Sequence, residues 1–101
     1  MAKFYTYRQN NSGGFFDQDD NVDVVVVIEA ESFAEANFTA QNIGIYFDGC
    51  EKGFDCDCCG DRWSDHWDED EATDRPELYG SPIEEETNWI VHYLDGTKKR
   101  G

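Results

Sequence analysis

The chain has 101 residues, enough for one small core, and carries 23 acidic against 8 basic side chains, a net charge of −15. That balance excludes direct tracking of nucleic-acid phosphates and disfavours an anionic membrane surface. Fifteen per cent aromatic residues argue for a folded chain rather than a disordered one.

Phe4–Tyr7 reads as a first strand from its aromatic and β-branched content. Gln9-Asn10-Asn11-Ser12-Gly13-Gly14 then breaks it, and Phe15-Phe16 is expected to resume pairing before a polar turn over 17–21. Val22–Ile28 is the strongest strand, and its unbroken Val24–Ile28 run predicts a central strand covered on both faces. Ser32 and Glu35 fit a capping box, followed by Phe33, Ala36, Ala40 and Ile43 at helical spacing. Ala34 and Phe38 widen that apolar face, and Gly44 supplies a stop. Ile45–Phe47 and Trp89–Leu94 read as later strands, the second ending in an Asp95-Gly96 turn. The order predicts an α+β fold: one helix on one face of a small, mostly antiparallel sheet, with an irregular acidic Cys-containing insert.

The expected organisation is one domain over 1–101. Residues 1–47 and 87–101 form the core, and 48–86 form the acidic insert, where fifteen acidic side chains face three basic ones. The basic cluster Lys98-Lys99-Arg100 follows as a tail. Met1–Arg8 has no apolar stretch of signal-peptide kind, and Val24–Ile28 is far too short to span a membrane. Four cysteines in such a chain point to a reducing cytosol, where clustered thiols read first as metal ligands or redox groups.

Cys56 and Cys59 have the C-x-x-C spacing that aims two thiolates at one zinc ion. Cys50 or Cys58, with His66 or His92, would complete four ligands; unligated thiols in a tight loop and a regulatory disulfide are the alternatives. The loop containing Asn10, Asn11, Ser12, Gly13 and Gly14 offers successive amides for a phosphate, with Arg8 and Arg62 as cations. It is no P-loop, lacking the Lys-Ser/Thr element, and an ordinary hairpin loop that needs Gly for its backbone angles is the plainer reading. The acidic run at 17–23 fails the calcium-loop pattern, with Val22 where Gly is needed and Ile28 where Glu is needed. Asp68, Glu69, Asp70 and Glu71 beside Trp63 and Trp67 read either as a solvated loop or as a recognition surface for a basic partner. No nucleophile signature accompanies the two distant histidines, so no enzyme is expected.

Tyr7–Phe15, Ile28–Ser32, Ile43–Gly49, Cys56–Trp63 and Tyr79–Pro82 together resemble a family of small tailed-bacteriophage proteins. The resemblance covers most of the chain and rests on its Q-N-N-S-G-G and C-x-C-C-G-D-R-W motifs. It implies a host-cell cytoplasm, and it favours Cys56, Cys58 and Cys59 over Cys50 as ligands, since Cys50 lies outside the matching motif. The expected function is a non-enzymatic accessory protein whose acidic surface docks on and inhibits a basic host protein, of nucleic-acid-binding or defence type. The alternatives are a sponge for a small nucleotide-type ligand and a structural zinc-bearing accessory protein.

Overall fold

A computed structural model of the chain describes residues 2–10, 16–53, 60–69 and 72–101. The elements run β1 (Lys3–Arg8), β2 (Val25–Ala30), α1 (Phe33–Asn42), β3 (Glu77–Leu78), β4 (Ser81–Pro82), a 3₁₀ turn (Ile83–Glu85), β5 (Trp89–His92) and β6 (Lys98–Arg100). Four strands form one sheet in the order β1-β2-β5-β6, and β3-β4 is a separate hairpin. Two of the three ladders are antiparallel. The β2-β5 ladder is parallel, which requires the long crossover that contains α1. The fold is α+β, as the residue order predicts.

The Val24–Ile28 run is explained by what covers each face. Val26, Ile28 and Ala30 pack with Tyr5, Tyr7, Ala36, Ala40, Trp63 and Ile90 beneath α1. Val25 and Val27 point the other way, onto Ile83, Trp89 and Val91, with Leu78 alongside. A strand with two buried faces has no polar alternation to show.

The helix ends as its sequence dictates. Ser32 Oγ accepts from the Glu35 amide at 3.1 Å, and Glu35 reaches back to the Glu31 amide at 3.2 Å, one residue before the usual box position. At the other end Gly44 has φ 110, Ile45 N–H donates to the Ala40 carbonyl, and Gly44 N–H donates to the Gln41 carbonyl. These are the paired bonds of a Schellman stop. Ala36 and Ala40 are buried, but Phe38 is 66% exposed, so it does not widen the core-facing stripe.

Three expectations are corrected. Ile45–Phe47 forms no strand; Ile45 and Phe47 are buried as an irregular segment under the sheet. Apolar content predicted their burial correctly, but not the missing ladder. Phe16 lies outside any strand and is partly exposed, while Phe15 and residues 11–14 lie outside the described residues. Lys98–Arg100 is not a tail but the edge strand β6, turned back by Asp95-Gly96. Among the described residues no helix is long and apolar enough to cross a membrane.

His92 links β5 to the β1–β2 connection, its Nε2 donating to the Asn21 carbonyl at 2.7 Å. Burial, with Lys98 and Arg100 nearby, holds its pKa below 6.5, against the opposing pull of the Asn21 bond. A base with a depressed folded pKa contributes stability that is complete above the unfolded value and is lost as pH falls toward the folded one. Wild-type protein is therefore expected to lose stability below about pH 6.5 more steeply than His92→Gln. Urea unfolding at several pH values checks the difference between the two slopes.

Candidate functional site

The acidic insert is held against the outer edge of β1. Asn10 N–H donates to the Arg62 carbonyl at 2.9 Å, and Phe4 and Thr73 exchange backbone bonds at 2.9 and 2.8 Å. Between them His66 Nε2 donates to the Thr6 carbonyl at 2.7 Å. The His66 ring lies edge-on to Tyr7, centroids 4.6 Å apart, and to Tyr5 at 5.5 Å. Asn37 on α1 fastens the same point from the helix side. Its Oδ1 accepts from Tyr7 Oη at 2.7 Å and from the His66 amide at 3.0 Å, and its Nδ2 donates to the His66 carbonyl at 2.8 Å.

Glu69 closes the strap. Its carboxylate accepts from Tyr5 Oη and from the Phe33 amide at the start of α1, the latter at 3.3 Å. Burial and this carboxylate push the Tyr5 phenol up to about 12, so it remains a donor throughout the neutral range.

The strap separates two hollows, and His66 lines both. The larger, of about 530 Å³, lies between α1 and Asp65–Trp67, with Phe33, Ala34, Asn37, Phe38, Gln41 and Phe47 as its other walls. Trp67 is 77% exposed there, its indole N–H turned to Asp65 Oδ1 at 3.1 Å. Asp65, Asp68 and Glu69 are exposed beside it. The smaller hollow, about 240 Å³, is walled by Thr6, Arg8, Thr73 and the β3–β4 hairpin.

A family model described as Domain of unknown function (DUF7296) matches residues 2–101. The chain belongs to that family. No curated protein and no solved structure gives a match. The DUF7296 match spans the chain as the phage resemblance does, but it brings no link to bacteriophage or to the two loop motifs.

The sequence-predicted residues of this DUF7296 protein divide sharply. Cys56, Cys58 and Cys59 lie outside the described residues, as do Asn11, Ser12, Gly13, Gly14, Asp70 and Glu71. Among the described residues no group of three or more His, Cys, Asp or Glu could hold a metal ion. His66 commits its Nε2 to Thr6, so that nitrogen is no ligand in this arrangement. Trp63 is 1% exposed and belongs to the core under α1, leaving Trp67 as the surface indole of the insert. The Trp63 indole N–H is buried without a partner among the described residues, a cost on the order of 1–3 kcal/mol set against the burial of a large ring.

The two arginines expected to share an anion also part company. Arg62 is 2% exposed, with Nε 3.1 Å from Tyr46 Oη and 3.4 Å from Asp17 Oδ2, and Nη1 2.9 Å from Gln9 Oε1. Gln9, itself buried, donates to the Asp17 and Asp23 carbonyls. Arg62 is thus an internal tie between β1, its following loop and the insert. Arg8 is exposed, and its guanidinium lies 5.9 Å from the centroid of the Tyr79 ring. Asn10 is half-buried, its Nδ2 donating to the Asp61 carbonyl at 3.3 Å. Phe38 and Tyr79 are the site residues that sequence reasoning passed over. Phe38 sits four residues from Ala34 at the margin of the stripe, and Tyr79-Gly80 has the form of a two-residue hairpin turn.

Removing Arg62 strands buried polar partners, whereas removing Arg8 strands none. Arg62→Ala is expected to cost on the order of 3 kcal/mol, and Arg8→Ala to stay within about 0.5 kcal/mol. Parallel denaturant melts of the two variants measure this contrast.

Proposed function

We propose that this protein is a non-enzymatic docking module of phage type that binds a basic segment of a host protein in the host cytoplasm and blocks that protein's own contacts. The observation that carries the reading is the pairing of Trp67 and Phe38. Two of the most exposed large apolar side chains among the described residues line one groove. Rigid aromatic anchors of this kind dominate binding energy when a partner covers them. The groove lies in a protein of net charge −15, with Asp65 in its wall and Asp68 and Glu69 beside it. Charge complementarity therefore selects a Lys/Arg-rich segment carrying one bulky apolar residue, and it repels nucleic acid. The phage resemblance supports a host protein as the source of that segment.

Glu69 is occupied in holding Tyr5 and the start of α1, so the steering charges are best tested elsewhere. A photo-crosslinker at Phe38 should trap a protein from host lysate, which is then purified and its binding measured. Association should slow as salt rises from about 0.05 to 0.5 M, and also on neutralising Asp65, Asp68, Asp70 and Glu71. Trp67→Ala should raise the off-rate by about 30-fold, the equivalent of a hot-spot loss near 2 kcal/mol. A partner whose kinetics ignore salt, the neutralisations and Trp67→Ala would sink the proposal.

A further inference from the structure

The second hollow has a chemistry unlike the groove. Arg62, Arg75 and Arg100 each pair with a carboxylate, at 3.4, 3.1 and 3.1 Å. Among the described residues Arg8 makes no such pair, although the chain holds 23 acidic residues. Its contact is the Tyr79 ring, at the outer limit of a cation–π interaction, which leaves the N–H donors of the guanidinium uncommitted to a carboxylate among the described residues.

Tyr79 is the second anomaly. It is 83% exposed and has φ 52, a left-handed conformation that disfavours a bulky side chain. With Gly80 at φ 84 it forms the two-residue turn of the β3–β4 hairpin, where Asn-Gly is the favoured pair. A strained, solvent-facing aromatic at a hairpin tip calls for a use.

The hollow beneath these two residues is about 240 Å³. That is below the range of roughly 300–1,000 Å³ typical of drug-sized ligand sites, and suits a single ring. Leu78 and Tyr79 supply apolar walls and Arg8 the cation, while the Thr6 and Thr73 hydroxyls in the lining donate to the Glu77 and Arg75 carbonyls. The carboxylate in the lining, Glu77, is already paired with Arg75 at 3.1 Å. We propose that this hollow binds a small single-ring aromatic monocarboxylate, its carboxylate bridged by the Arg8 fork and its ring laid against Tyr79. One guanidinium balances one negative charge. The strongly acidic surroundings act against a dianion such as a mononucleotide.

Benzoate is the probe, followed by amide NMR titration of the whole chain. The expected result is perturbation of Arg8, Thr73 and Tyr79, with at least ten-fold weaker binding in Arg8→Gln and in Tyr79→Asn. Tyr79→Asn carries its own control. Asn tolerates the turn better than Tyr, so this variant should melt above wild type while losing benzoate. Trp67→Ala should bind benzoate normally, which separates this site from the docking groove. No perturbation at these residues, undiminished binding by Tyr79→Asn, or tighter binding of adenosine monophosphate than of benzoate would each overturn the proposal.

Discussion

Among the described residues no fifth strand pairs with the outer edge of β1, and much of the molecule is arranged around that edge. An exposed edge presents unpaired amides and carbonyls, which invite pairing with another chain. Here the acidic insert occupies the edge without becoming a strand. It contacts Phe4 through Thr73, Thr6 through the His66 side chain, and Asn10 through the Arg62 carbonyl. A continuous ladder would run flat along the sheet. The segment meets the edge at Phe4, Thr6 and Asn10 through a mixture of side chains and backbone. Asn37 fixes it to α1. A hollow lies on each side of His66, and Trp67 faces solvent at the larger one.

Regular elements were legible in the sequence where one local signal decided them. β1 and β2 follow from side-chain type, α1 from its cap and Schellman glycine, and the β5–β6 turn from Asp95-Gly96. The misreadings share a cause. Ile45–Phe47 is as apolar as a strand, yet a ladder needs a free edge, and β1's edge is taken by Arg62, His66 and Thr73. Lys98–Arg100 has the composition of a tail, yet register with Ile90–His92 makes it a strand whose charges suit an exposed edge. Glu77–Pro82 is too short for any periodicity, and only the Tyr79-Gly80 pair could have marked its turn.

Less of the candidate site was legible than of the fold. Trp63 and Trp67 sit four apart in equally acidic surroundings, and sequence cannot say which is buried. The same holds for Arg8 and Arg62. Each is a lone cation near a turn, and only the packing of Gln9 and Tyr46 distinguishes the internal tie from the exposed fork. Burial of Gln9 and Arg62 depends on a partner 53 positions away, which no local pattern encodes.

The net charge also acquires a more specific meaning. Many of the carboxylates accept from amides that the irregular connections leave without a backbone partner. Asp19 serves Asn21 and Val22, Asp61 serves Cys50, Glu29 serves Leu94, and Glu69 serves Phe33. Thr97 gives its amide and hydroxyl to Asp95 and holds that carboxyl below its ordinary range. Such acceptors matter most at the half-buried amides of Val22 and Cys50, since a half-buried amide without one is costly. Part of the acidity is therefore a structural device as well as a surface property. Within 48–86, Asp61 and Glu69 are committed to such bonds. The carboxylates relevant to docking are those exposed around the groove, Asp65 and Asp68 foremost, because Trp67 and Phe38 stand beside them and give a bound segment something to hold.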